Sequence, residues 1–188
     1  HVIDNSAEVR VIFEDGRLYE ATIIGSDKLT DIGLIKINAS NLIPIAIGNS
    51  DKMLVGDLAV AIGHPLTLGA APTVTTGVVS ALERRLDVGG DTMDSAVTLF
   101  GLMQTDAPIT RGSSGGALIN KNGELIGITT AIATADVGAE GLGFAVPINL
   151  ALGIAKDLIS DGKILHAFLG ILGAQHFETA ADGARVFS

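Results

Sequence analysis

Residues 110–120 read TRGSSGGALIN. The run offers one chemistry above all: a serine nucleophile at Ser114, with Gly112 before it and Gly115 and Gly116 behind it. A serine hydroxyl attacks poorly until a base takes its proton. That base is usually a histidine oriented by a carboxylate. The developing oxyanion needs donors, and the backbone N–H groups of a tight loop can supply them. The loop Gly112–Ser113–Ser114 is the candidate oxyanion hole, with the amides of Gly112 and Ser114 as donors. Glycine at 112 lets its amide turn inward without a Cβ penalty. Gly115 and Gly116 leave room for substrate and for packing beneath the serine.

Two other readings compete. A Gly/Ser-rich run can be a linker, but linkers have polar flanks, and here both flanks look like strands. The run also fits G-x-S-x-G, the nucleophile elbow, for which Asp136, Asp157, His166 and His176 follow the serine. That motif needs a strand before it and a helix after it. Beyond Ser114 the chain instead runs through ALIN, Asn122-Gly123 and ELIGITTAI, which reads as a β-hairpin. An all-β scaffold fits better. On residue types alone the acid stays open among Asp27, Asp31, Asp51 and Asp57, since a lone Asp before a strand is usually a turn or cap residue. Asp106 reads as structural and His64, before Pro65, as a loop residue. His166 and His176 stand isolated, and no pair has HExxH spacing, so no metal site is expected. A terminal His1 also fits a disordered end.

The surrounding elements are short strands. Val9, Val11 and Phe13 alternate with Arg10, Ile12 and Glu14, and Asp15-Gly16 marks a hairpin turn before a return strand through Tyr19, Ala21 and Ile23. IGLIKI (32–37), LAVAIG (58–63), VTTGVVSAL (74–82), FGLMQ (100–104) and GLGFAVPI (141–148) continue the series. Residues 86–98 have turn composition and predict a loop. One helix is expected from an N-cap at Asn149, with Leu150, Ile154 and Leu158 spaced by four and Gly162 as C-cap.

Composition narrows the classes. The 188 residues carry a formal net charge of -9, against the clustered Lys/Arg that nucleic acid binding needs. There is no cysteine, which excludes a disulfide, a thiol nucleophile and a thiolate metal site. No apolar run approaches the ~20 residues that span a bilayer.

The run TDAPITRGSSGGALINKNGELIGITTAI resembles the active-site region of the HtrA (Deg) serine proteases. HVI at residues 1–3 is similar to the end of that family's catalytic-histidine motif. DGRLYEATIIGSDKLTDIGLIKI (15–37) is similar to the region that holds its aspartate. VGDLAVAIGHP, VTTGVVSAL and EGLGFAVPI follow in the family's order. The resemblance implies an all-β, chymotrypsin-like double Greek-key β-barrel plus a C-terminal helix. Its parts would be residues 1–52 for the end of the first barrel, 53–148 for the second barrel, 149–163 for the helix and linker, and 164–188 for the start of a PDZ domain. The strands expected before His1 are absent from the 188 residues, so the first barrel is expected not to close here. The chain is expected to belong to a longer polypeptide and to have negligible activity by itself.

By the same resemblance, Ser114 is the nucleophile, His1 the general base and Asp31 the acid. Thr130, Ala131 and Ile132 form the strand that binds the substrate backbone. The family usually has Asn before the nucleophile, and this chain has Ser113, so no ion pair of the kind digestive relatives form with a new N-terminus is possible. Loop ordering is the expected substitute. Proteases that cut after Lys or Arg commonly carry an acid six positions before the nucleophile. Pro108 stands there, between Ala107 and Ile109, which implies a small or medium aliphatic P1 residue. Arg111 reads as a solvated loop charge. The implied role is endopeptidase action on unfolded or damaged proteins, without metal or organic cofactor, in a homotrimer or larger assembly at the bacterial periplasm or cell envelope. The rival is a non-catalytic module that holds unfolded chains.

Overall fold

The computed structural model describes residues 1–4, 6–64, 71–88, 97–132, 142–166, 172–174 and 185–187. Strands β1 (Val9–Ile12), β2 (Leu18–Asp27) and β3 (Ile32–Ile37) form an antiparallel sheet in that order. The expected Asp15-Gly16 turn joins the first two. Gly16 has φ 82, and the Asp15 carboxylate accepts from the backbone N–H of Arg17 at 3.0 Å. A bulge between Ile23 and Gly25 bends β2, and the C-terminal helix packs there, with Leu158 Cδ2 over Gly25.

Strands β4 (Leu58–Gly63), β5 (Thr73–Val88), β6 (Val97–Thr105), β7 (Ala117–Ile119), β8 (Leu125–Ile132) and β9 (Gly143–Pro147) close into a barrel of order β4-β5-β6-β9-β8-β7. Closure removes the exposed edges that a six-stranded sheet would otherwise present. The two-residue period of a strand assigns neighbouring side chains to different cores. Met103, Ile126 and Ala145 join Ala59, Val79 and Leu118 in one buried cluster. Their sequence neighbours Leu102, Leu125 and Val146 join a second cluster with Ile32 of the first sheet and Leu158. Full burial of each such aliphatic side chain contributes roughly 1.5–3 kcal/mol. The second cluster is therefore what fastens the first sheet to the barrel. Ile47 reinforces it by bridging to Leu125, with Leu125 N donating to Ala46 O at 2.8 Å.

Helix α1 (Ile148–Asp161) buries Ile148, Ala151, Ile154 and Leu158 on one face. Gly162 ends it in the left-handed conformation (φ 69), its N–H donating to Leu158 O, as the sequence predicts. The start differs. The N-cap position is Pro147, and no side chain of the helix's own caps it. Asn149 lies one residue inside, where its amide N–H donates to the Ser50 hydroxyl at 3.1 Å and its side chain to Asn49 at 2.9 Å. A residue distant in sequence thus takes over the capping.

The expected loop 86–98 is corrected at its two ends, while residues 89–96 lie outside the described residues. Leu86, Asp87 and Val88 belong to β5 and pair with Leu99, Thr98 and Val97 of β6. The Asp87 carboxylate accepts from the Thr98 hydroxyl at 2.5 Å, which satisfies the residue whose type suggested a turn. In the segment 164–188, β10 (Leu172–Ala174) and β11 (Arg185–Phe187) pair antiparallel. Most of the rest of that segment, His176 included, lies outside the described residues.

Candidate active site

The serine loop is the connection from β6 to β7, and both neighbouring strands hold it. On the β5 side, the Thr105 hydroxyl donates to Val78 O at 2.8 Å and Asp106 accepts from Val78 N at 2.7 Å. The Thr75 hydroxyl donates to Pro108 O at 2.8 Å. On the β8 side, Gly115 N donates to Thr129 O at 2.7 Å and Thr129 N to Gly116 O at 2.9 Å. The Thr129 hydroxyl donates to Ser113 O at 2.5 Å. Pro108 O, Ser113 O, Gly115 N and Gly116 O are backbone atoms of the loop itself. Its conformation is therefore fixed by bonds rather than by side-chain bulk.

Gly112 has φ 94, a conformation that a side chain would strain. Among the described residues, the N–H groups of Gly112 and Ser114 donate to no protein acceptor. The Ser113 N–H donates to Thr110 O at 3.0 Å, closing a tight turn. Within the candidate oxyanion loop Gly112–Ser113–Ser114, the Ser113 amide is thus engaged, and the amides of Gly112 and Ser114 are the expected donors. Its own side chain is buried, 3.5 Å from the Thr110 hydroxyl.

Of the four aspartates left open by residue type, the structure brings one to a histidine beside this loop. The Asp31 carboxylate lies 2.8 Å and 3.0 Å from His1 Nδ1 through its two oxygens. The His1 backbone nitrogen is 2.7 Å from the same group. Asp51 sits in a single 3-10 turn, and Asp57 accepts from Leu54 N. Asp27 is bound to Thr30 and to His166. His166 is thus not isolated, which corrects the sequence reading. Its partner is 139 positions away, a separation that no local spacing reveals.

The N-terminal segment approaches the serine loop at Gly115. Ile3 packs over Gly33, and Val2 Cγ2 comes within 3.9 Å of where a Cβ on Gly115 would stand. Strand β8 joins the two halves of the site. The Thr130 hydroxyl donates to Asp31 Oδ2, and Thr130 O accepts from the Ser114 hydroxyl at 2.6 Å. The serine proton therefore rests on a carbonyl in this arrangement. The regular β8–β9 register breaks between Thr129 and Ile132, so Thr130 and Ala131 fall in the irregular step.

Of the apolar trio at the expected specificity position, Ala107 is fully buried in the barrel core and Pro108 is exposed. Ile109 borders a cavity of about 70 Å³ that Pro108, Thr73, Thr75 and Ser113 also line. Arg111 is exposed, as a solvated loop charge should be.

A model of the trypsin-like peptidase domain matches residues 1–128. The chain belongs to the trypsin-like peptidase family. Within that family it is similar to HtrA-type proteases. It is 47% identical over 192 residues to the periplasmic pH-dependent serine endoprotease DegQ of Escherichia coli K12, covering all of this chain and 39% of that protein. It is 43% identical over 190 residues to the serine protease PepD of Mycobacterium tuberculosis, covering 93% of this chain and 40% of that protein. The solved structure of the HtrA-type protease AlgW with a decapeptide superposes with a TM-score of 0.82 at 36% identity, covering 99% of this chain and 57% of that one. The chain spans about two fifths of the length of the curated relatives it matches. The matched residues 1–128 span the three-stranded sheet and barrel strands β4 to β7 and enter β8.

Proposed function

We propose that this chain carries the catalytic machinery of an HtrA-type serine endopeptidase. In this mechanism the Ser114 hydroxyl leaves Thr130 O and turns to His1 Nε2, which takes its proton as Oγ attacks the substrate carbonyl. Asp31, bonded to Nδ1, fixes the tautomer and orientation of the imidazole and stabilises its protonated form. The N–H groups of Gly112 and Ser114 meet the oxyanion. His1 then gives the proton to the leaving amine. Water, deprotonated by the same imidazole, hydrolyses the acyl-enzyme and restores the serine. No step requires a metal or organic cofactor.

The observation that carries this reading is the His1–Asp31 contact, 2.8 and 3.0 Å, formed beside the loop of Ser114. The irregular strand at Thr130–Ala131–Ile132 is the proposed edge for an extended substrate backbone, which binds through main-chain hydrogen bonds with little sequence demand. Substrates of this kind are unfolded or damaged proteins, and their removal is the proposed role in protein quality control. Pro108, with no acid at its position, favours a small or medium aliphatic P1 residue. The place of action is the periplasm, after relatives named as periplasmic proteases. Assembly as a homotrimer or larger oligomer belongs to the same proposal, as does a PDZ domain beginning within 164–188.

The test is digestion of denatured casein by the full-length protein, with the new termini mapped by mass spectrometry. Wild type is expected to cut after Val, Ala or similar residues, and Ser114→Ala to abolish cutting. Strong preference for Lys or Arg would overturn the specificity reading. Casein bound but left intact by wild type would favour the non-catalytic binding module instead.

A further inference from the structure

We propose that Asp27 is a positioning residue for Asp31, and that His166, arriving from the segment after α1, is its partner. The inference rests on the protease reading and adds to it a residue pair that touches neither substrate nor Ser114.

Asp27 is buried, with 8% of its surface exposed. A buried carboxylate must be paired and hydrogen-bonded. Two of the three side-chain contacts of Asp27 go to one turn. Its Oδ2 accepts from Thr30 N at 3.0 Å and from the Thr30 hydroxyl at 2.5 Å. Its Oδ1 lies 2.7 Å from His166 Nε2. Asp27 and Ile32 form the last paired rung of the β2–β3 ladder, so residues 28–31 are the turn and Asp31 is its final residue. Asp31 has φ 58. Aspartate tolerates this left-handed conformation better than most residues, and its neighbours in the turn help to hold it there. These neighbours are Thr30, held on two sides by one carboxylate, and Ile32, buried in the core.

His166 makes the clamp long-range. It is partly exposed and stands four residues beyond the Gly162 cap. Displacing it leaves Oδ1 of a buried carboxylate without a donor among the described residues. The turn then loses the partner that keeps Asp27 fixed. The other charges at this corner are Lys28 and Asp4, paired at 3.0 Å on the surface. Burial acts to raise the Asp27 pKa, but hydrogen bonds from Thr30 and His166 outweigh it and hold the group below the ordinary carboxylate value. Asp27 is therefore ionised at neutral pH, as a clamp of this kind requires. Movement of the segment that carries His166 thereby bears on the orientation of the acid that holds the His1 imidazole.

The test is inactivation of the full-length protein by a fluorophosphonate, resolved into KI and kinact, beside thermal unfolding. His166→Ala changes a partly exposed side chain outside both core clusters. It is expected to lower kinact about tenfold, the loss that one hydrogen bond to a charged group implies. KI stays at the wild-type value. Asp27→Ala lowers kinact further. His166→Gln, which keeps an N–H donor, restores most of the rate. Unchanged kinact in His166→Ala, or a rise in KI alone, would overturn the inference even if the melting temperature falls. Wild type that fails to react at all overturns the protease reading, so the two failures are distinguishable.

Discussion

Adding one methyl group at Gly116 tests how tightly the serine loop is seated. A Cβ built there would stand 2.3 Å from the backbone oxygen of Ile62 and 2.9 Å from that of Ser113. Ordinary carbon–oxygen contact needs roughly 3.3 Å, so the loop must move by about 1 Å relative to β4. Neither obstacle is a flexible side chain. The loop cannot absorb the shift locally, because Gly116 N donates to Ser113 O and Gly116 O accepts from Thr129 N. The displacement therefore passes to Ser114 and to the amides of Gly112 and Ser114. A misplacement of about 1 Å can cost on the order of a hundredfold in rate. Overpacking of this kind costs about 1–3 kcal/mol in stability. The assay is the second-order rate of fluorophosphonate inactivation of Gly116→Ala, with urea unfolding in parallel. A rate within about threefold of wild type, at similar stability, would refute the claim that this loop geometry sets reactivity.

Packing and charge supply two more expected outcomes. Leu158 is 1% exposed and its Cδ2 fills the space above Gly25; with no side chain there to collapse into the gap, Leu158→Ala should cost about 3–4 kcal/mol in denaturant unfolding. Asp27 has a folded-state pKa below its ordinary value of 3.8, so it contributes stability that is fully present above pH 3.8 and is lost as the pH falls through the lower folded value. Acid unfolding of Asp27→Asn should therefore lack part of the wild-type loss in stability below pH 3.8.

Local signals carry much of the fold. The Asp15-Gly16 hairpin, the hairpin turned by Asn122-Gly123 and the helix end at Gly162 are each fixed by a few adjacent residues, and each appears where those residues place it. The start of α1 is not legible, because Ser50 does the capping from 99 positions away. The long β5–β6 arm escapes sequence reading at residues 86–88 and 97–98, because an Asp that bonds across the ladder looks in sequence like an Asp that makes a turn.

The site divides in the same way. Ser114 and Gly112 are readable from the loop's own composition. Asp31 is not separable from its rivals by residue type, since its distinction lies in meeting His1 across 30 positions. Thr130 reads in sequence as substrate-binding strand, yet its side chain also donates to Asp31. The Asp27–His166 pair gives no signal at all, because ion pairs between isolated residues have no sequence spacing.

The central claim is that Ser114 is a nucleophile activated by His1. The most direct measurement is mass-spectrometric location of the fluorophosphonate adduct on the folded full-length protein, for wild type and His1→Ala. The account predicts a single adduct on the peptide containing Ser114 in wild type and its loss in His1→Ala. An adduct on another residue, or equal labelling of Ser114 without the histidine, would contradict it.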